Sequence, residues 1–454
     1  MFLALLLAAS LADWTPARWN TDDPKSLELI QGTPINCLLL EEAQWSREFI
    51  GKAAEAGIVT LGVVHPAPSA GDNARRAIES GLHGVVLEGD FEPDQARQIR
   101  STLGEQPVIE LASRYRLRLD ERVPILGTWQ GVWPGIEPED EDSTKAAPSG
   151  APWIHTNTGF LRFMRAANEA VFWIGVKPPD KGPVSPARYL QAIGDAAIVG
   201  ARWVVAFDPD FERRLFAREE EALADWGRLA QHLKFYEDHK HWRRLPFHGL
   251  LALVQDTDSG ALLSGGILDM IAVKHTPVRP VPARRLRPEA MQGSRMAVNV
   301  DPEALTPEQK EALRTFTRSG GTLLSGPPGW KFPALRPGEI TLGEEEVEKI
   351  DSIWKEVNAM TGRRNLGARL FNVSSMLSNL LTSEDGQGVI LHLVNYSDYP
   401  VENVTAHVLG RFKRARLLTP EGEPQELEVY PIDEGAGTGI DIEQVAFVAA
   451  IEVE

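Results

Sequence analysis

Ile58-Val-Thr-Leu-Gly-Val-Val64, a helix-like stretch over 72–80 closed by Gly81, and then Gly84-Val-Val-Leu-Glu-Gly-Asp-Phe91 decide how this chain folds. Short apolar runs rich in β-branched residues, separated by a helical stretch, mark a β–α–β unit whose strands are buried on both faces. The same unit recurs on either side. Apolar runs stand at Ile35–Leu40, Ile58–Val64, Gly84–Leu87, Val108–Leu111, Pro124–Trp129, Trp153–Thr156, Val171–Val176 and Arg202–Phe207. Between the first two, Trp45, Phe49, Ile50, Ala53 and Ala54 recur at helical spacing and Gly57 closes the helix. Glu92–Leu103, Phe160–Asn168 and Ser185–Val199 continue the pattern, the last with Ser185 as N-cap and Pro186 at the first helical position. Glu219–Trp242 is the long final helix. Eight strand–helix repeats are the count of a closed (β/α)8 barrel, in which residues just past the strand ends form the active face.

A different rhythm begins near Phe247. Leu250–Val254 reads as a strand, Leu262–Ala272 as a helix and Met296–Val300 as a strand. Thr306-Pro-Glu-Gln309 opens a helix with an N-cap, a proline and the Gln of a capping box. Gly320-Gly321 stops it, and Thr322–Ser325 is a strand. This is a small Rossmann-like α/β domain without a Gly-rich phosphate loop, so no nucleotide cofactor is expected. From Gly386 the chain alternates: Val389–Val394, Val401–Val408, Ala415–Leu418, Glu426–Tyr430 and Val445–Val453 predict an antiparallel β-sandwich. The expected division is a barrel over 30–245, the α/β domain over 246–335, a linker over 336–380 and the sandwich over 381–454. Met1–Ala12 is apolar and ends in Ser10-Leu11-Ala12, which fits a signal peptide and export. It is too short to span a bilayer, and no later apolar stretch is long enough.

A chain of 454 residues calls for two or three domains, and 43% hydrophobic residues allow each a core. The net charge of −17 repels nucleic-acid phosphates and anionic lipid surfaces, and favours a small neutral or cationic partner. The single cysteine, Cys37, lies inside an apolar run and reads as a buried thiol. Twelve tryptophans either fill the core, the weightier reading for any one of them, or stack on sugar rings. There is no His-Glu-x-x-His, Gly-x-Ser-x-Gly or Walker loop. His239 and His241, two apart on a helix, present their rings to different faces. Neither a metal nor a cofactor is expected.

The strand ends hold the candidate chemistry. They offer Glu41, Glu42, His65, Glu88, Asp90, Glu110, Arg114, Trp129, Gln130, Trp133, His155, Asn157, Lys177, Asp208 and Asp210. Several carboxylates at one mouth, with tryptophans and amides, match a cleft for glycosidic-bond hydrolysis. One protonated carboxyl gives its proton to the leaving oxygen, and a second, ionised one attacks or activates water. Glu88 and Glu110 are the candidate acids, and Asp208 and Asp90 the candidate base or nucleophile. Trp129, Gln130, Trp133, His155, Asn157 and Lys177 are candidates for substrate binding. Each has a plain alternative: Glu41 and Glu42 start a helix, Asp208-Pro-Asp210 makes a turn, and Glu88 and Asp90 precede a helix as a capping turn. Alternation can turn Glu110 to the helices, where an unpaired charge is costly, so a lumen or salt-bridged position is favoured. Glu137–Pro152, acidic and then Pro-rich, is either a solvated loop or a lid following the fifth run.

The order of barrel, α/β domain with Thr306-Pro-Glu-Gln309 and Ser319-Gly-Gly-Thr-Leu-Leu-Ser325, and β-sandwich resembles glycoside hydrolase family 42 β-galactosidases and related barrel glycosidases. The resemblance implies a carbohydrate substrate, an inactive glutamine-amidotransferase-like middle domain and assembly of copies through that domain. That family sets an acid Glu after an Asn at the fourth strand and a nucleophilic Glu at the seventh. Here Glu110 follows Ile109, and the seventh run ends in Lys177-Pro-Pro. Two functions are therefore carried forward: an exported glycoside hydrolase-like enzyme, and a non-catalytic carbohydrate-binding or assembly protein on the same scaffold.

Overall fold

The computed structural model describes residues 10–140, 143–147, 150–179, 184–256, 265–273, 275–327, 330, 340 and 342–454. Most of the predicted signal peptide, residues 1–9, lies outside them. The chain divides into two compact units. One takes Met1–Trp133, Ala170–Ser185 and Ala201–Asp238; the other takes Pro134–Glu169, Pro186–Gly200 and His239–Glu454.

The first unit holds eight parallel strands in chain order: β1 (Pro16–Arg18), β2 (Cys37–Leu40), β3 (Val59–Val64), β4 (Gly84–Glu88), β5 (Val108–Ala112), β6 (Ile125–Thr128), β7 (Val171–Gly175) and β8 (Arg202–Val204). Ala17 bridges Val205, and the Arg18 N–H donates to the Val205 carbonyl at 2.8 Å, so the sheet closes into a (β/α)8 barrel. The eight strands are not quite the eight predicted. Pro16–Arg18 is too short and too polar to read as a buried run, yet it is the closing strand. Trp153–Thr156 is not a barrel strand: Ile154–His155 pairs antiparallel with Gly135–Ile136 in a separate two-stranded sheet. Every run from Ile35 to Trp129 therefore moves up one place, and Gly84–Glu88 becomes the fourth strand.

Period-two alternation fills the barrel. Trp14, Cys37, Leu39, Leu61, Val86, Leu111, Ile125, Trp173 and Val204 belong to one buried cluster reached from seven strands. Gly127 is in register with Trp173 and makes room there, since a Cβ at Gly127 would collide with Leu111. Burial raises the Cys37 thiol far above its ordinary range, which leaves it inert. Outside this sheet run α1 (Arg47–Glu55), whose cap Ser46 accepts from the Phe49 N–H, α2 (Ala70–Glu79) and α3 (Pro93–Leu103).

The helices that follow β6 and β7 in the chain, α4 (Thr158–Ala167) and α5 (Pro186–Ala197), belong to the second unit. The first unit ends with α6 (Pro209–Phe216) and α7 (Glu220–Asp238). The stretch expected as an irregular loop carries strand pairing: Pro138–Asp140 pairs with Ser143–Thr144, and Ala146 bridges Pro152.

The second unit contains a parallel sheet of β9 (Leu251–Gln255), β10 (Val278–Pro282), β11 (Met296–Asn299) and β12 (Thr322–Ser325) in the order β10-β9-β11-β12. With α8 (Gly266–Val273) and α9 (Pro307–Arg318) this is the expected α/β domain, one strand larger than predicted. Thr306 and Gln309 form the capping box. The stretch 336–380 is more than a linker: it holds α10 (Glu344–Thr361), β13 (Ala368–Phe371) and most of β14 (Met376–Thr382). The sandwich adds β15 (Val389–Asn395), β16 (Val401–Leu409), β17 (Ala415–Leu418), β18 (Gln425–Leu427), β19 (Val429–Ile432), β20 (Gly437–Val445) and β21 (Val448–Val453). Its sheets, β13-β16-β20-β19 and β14-β15-β21-β17-β18, close over a core including Leu370, Leu391, Ala406 and Ile440.

One buried polar network runs through this unit. Asp195 on α5 accepts from Thr156 Oγ1 at 2.5 Å, Tyr396 Oη at 2.6 Å and Asn157 Nδ2 at 2.8 Å. Burial raises its carboxyl even against these hydrogen bonds. Thr156 and Thr158, hydroxyl to hydroxyl at 3.0 Å, connect it to Asp269 on α8, which accepts from Thr158 Oγ1 at 2.9 Å.

Candidate functional site at the barrel mouth

Strand alternation aims the residues at the C-terminal strand ends. Val86 lies in the barrel core, so Glu88, two residues on, points the same way at the end of β4. Arg18 stands in register with Leu39, another core residue, and shares its face. Together they form a chain of charges. The Arg18 guanidinium contacts the Glu88 carboxylate directly and lies 3.7 Å from Glu41, and Glu41 pairs with His65 Nε2 at 3.1 Å. Side-chain exposure rises along it, from 17% at Glu88 and 23% at Arg18 to 40% at Glu41 and 55% at His65, so the chain leads from the barrel interior out to solvent.

Glu88 and Asp90, neighbours in sequence, go separate ways. Gly89 between them has φ +117°, a conformation that suits glycine, and a Cβ there would press on Pro66. Asp90 then accepts from the Ser113 N–H at 3.0 Å, Ser113 Oγ at 2.6 Å and Tyr115 Oη at 2.8 Å. Burial works to raise its carboxyl, but these hydrogen bonds and the Arg116 charge outweigh it and hold the group below the ordinary range. Asp90 therefore ties the end of β4 to the loop after β5 as an ionised carboxylate.

A candidate acid and a candidate base or nucleophile are turned elsewhere. Ile109 and Leu111 both face the core, so Glu110 faces the helix layer and pairs with Arg100 on α3 at 2.8 Å. Its salt-bridged alternative is the one observed, and the fourth-strand position passes to Glu88. Asp208 is buried and is the N-cap of α6, where its Oδ1 accepts from the N–H groups of Asp210 at 3.0 Å and Phe211 at 3.2 Å.

The binding candidates divide as well. Trp129 follows β6 and is 40% exposed, the one exposed tryptophan among the described residues. Trp14, Trp19, Trp173, Trp203, Trp226 and Trp242 are buried, as the core reading expects. Trp133 meets Trp203 edge to face at 6.2 Å and is a packing residue. Gln130 is buried, and its Oε1 and carbonyl accept from the Arg114 N–H at 2.9 Å and Arg114 Nε at 2.7 Å, which braces the loop after β5. Lys177 is exposed beyond β7. His155 and Asn157 belong to the second unit, not to a barrel strand: His155 Nε2 lies 3.1 Å from Glu137, and Asn157 serves the Asp195 network. Among the described residues no group of three or more His, Cys, Asp and Glu is placed to hold a metal ion.

Arg18 is the residue that sequence reasoning missed. Its one signal is a polar side chain ending the short segment Thr15-Pro-Ala-Arg18, which gains meaning only when that segment closes the barrel.

Known structures share this fold. The α-L-fucosidase isoenzyme 2 from Paenibacillus thiaminolyticus superposes with a TM-score of 0.64 at 10% identity, over 97% of this chain and 99% of that one. The β-galactosidase from Rahnella sp. R3 superposes with a TM-score of 0.50 at 9% identity, over 95% of this chain and 98% of that one. No family model matches the chain, and no curated protein matches it. At these identities the likeness is one of fold: a glycosidase-like barrel followed by further domains.

Proposed function

We propose that this chain is a carbohydrate-active protein that hydrolyses a glycosidic bond at the barrel mouth, with Glu88 and Glu41 as its carboxylate pair. The observation that carries this reading is the single Arg18 guanidinium in contact with Glu88 and 3.7 Å from Glu41. A guanidinium reached by both carboxylates holds the two groups near each other at one mouth, as the paired carboxyl groups of a glycosidase must be. One of the pair gives a proton to the leaving oxygen. The other attacks the anomeric carbon or takes a proton from the attacking water. Trp129 offers an exposed ring face for a sugar, and the glycosidase fold of the solved relatives is consistent with such a substrate.

The test is hydrolysis of a panel of aryl glycosides and oligosaccharides by the purified full chain. Glu88→Gln and Glu41→Gln are each expected to lower kcat by about 10³-fold or more, the scale set by losing a general acid or a nucleophile. Wild-type turnover in either variant removes that residue from the pair.

The second reading, glycan binding without turnover, is favoured by the same guanidinium. Arg18 already neutralises Glu88, and the seventh strand leads to Lys177 instead of a carboxylate. It predicts that calorimetry detects glycan binding while the panel shows no hydrolysis.

A further inference from the structure

The sandwich sheet β13-β16-β20-β19 has an outer face with a chemistry of its own. Leu370, Ala406 and Ile440 point into the sandwich core, so their neighbours along each strand point outward. The register aligns Arg369, His407, Gly439 and Tyr430 in one row across all four strands, and Phe371, Thr405 and Asp441 in the next.

These two rows make a stripe of rings. Phe371 is 37% exposed, and its ring centre lies 4.6 Å from that of His407. Beside His407 stands Gly439, where a Cβ would collide with the Tyr430 ring. The glycine therefore lets Tyr430 lie flat across the strand, next in line to His407. Polar groups flank the stripe. Tyr430 Oη and Thr405 Oγ1 both donate to Asp441 Oδ1, at 3.1 and 2.7 Å. Among the described residues nothing bonds to the other oxygen of this exposed carboxylate. On the Phe371 side the Arg369 guanidinium sits 5.5 Å from the ring centre and spends one nitrogen on the Arg363 carbonyl. It keeps further N–H groups to offer.

Aromatic faces in a line, with a carboxylate acceptor and a guanidinium donor at their edges, are complementary to a sugar. Its C–H faces stack on rings, and its rim hydroxyls both donate and accept. We propose that this face is a second glycan-binding site, built from residues other than those at the barrel mouth, for a neutral oligosaccharide. The formal charge of the protein, −17, opposes phosphate or anionic lipid there. A protein partner is disfavoured by the stripe's narrowness, because Arg369, Thr405 and Asp441 interrupt it where the centre of a protein interface is depleted of charge.

The experiment is calorimetric titration of the full chain with cellohexaose, xylohexaose, maltohexaose and a galactohexaose. At least one is expected to bind at micromolar to millimolar concentration. Phe371→Ala and Tyr430→Ala should each weaken that binding by about tenfold, the scale of losing one ring contact. Phe371→Trp should preserve it, which separates a lost ring from a lost fold. Turnover of an aryl monoglycoside should be the same in Phe371→Ala as in the wild type. Absence of turnover in every protein sinks the hydrolytic reading of the barrel mouth and leaves this site standing if the Phe371→Ala effect is present. The site is overturned if none of the four hexasaccharides binds, or if the double variant Phe371→Ala/Tyr430→Ala binds as the wild type does.

Discussion

Arg18 and Arg100 each hold a glutamate, yet only one faces the barrel interior. Arg18 meets Glu88 at the mouth, and Arg100 meets Glu110 on the helix side. If Glu88 and Glu41 react, Arg18 positions them, and Arg18→Ala should lower kcat/KM by about 10²-fold, the penalty of a small misplacement. Arg100→Ala should leave kcat/KM close to wild type, and steady-state kinetics on one aryl glycoside checks both. Glu110 shows how far residues alone could be read. Alternation already allowed it to face the helices, and the burial of Ile109 and Leu111 decides that it does. Glu88 and Asp90 were equally visible, but their separate roles depend on the Gly89 turn and on Ser113 and Tyr115, which are remote in sequence.

At the level of elements, helix ends were the easiest to read. The Thr306-Pro-Glu-Gln309 box caps α9 as its sequence predicts, because capping is chemistry between residues three apart. Asp208 is the same kind of cap on α6. Asp208→Ala should cost about 1 kcal/mol and lower Tm by a few degrees, with turnover retained in the folded protein; a thermal melt paired with an activity assay checks this. Helix contacts were not readable. Gly265 has φ +59°, and a Cβ there would overlap the backbone of Gly159 on α4. Gly265→Ala should therefore destabilise the fold by about 3 kcal/mol, combining overpacking with left-handed strain, as measured by urea unfolding. The strand at Pro16–Arg18 was missed for a related reason: three residues carry no periodicity, and closing a barrel is a partnership, not a pattern.

The whole molecule has a pH dependence written into its buried carboxylates. Burial pushes Asp269 up to about 7 from an ordinary value of 3.8, against the opposing Thr158 hydrogen bond and the Arg162 charge. Between those values the folded state keeps a proton that the unfolded chain has released, so this group's stabilising contribution is complete below about pH 4, falls as pH rises and levels off above about 7. Buried His392, its imidazole pushed down to about 3, works in the opposite direction below about pH 6.5. The fall is therefore read as the difference between urea midpoints of the wild type and Asp269→Asn from pH 4 to 8, which should shrink as pH rises. The sequence by itself determined the α/β barrel class, the α/β domain and the sandwich, because burial periodicity and turn chemistry are local and survive without coordinates. It also narrowed the candidate chemistry to residues at strand ends. Only the tertiary structure decided which segment closes the barrel, which acids face inward and that Arg18 joins Glu88 to Glu41. Each of these depends on contacts between residues far apart in the chain, and on a strand order in which one unnoticed strand shifts the next five runs by a place.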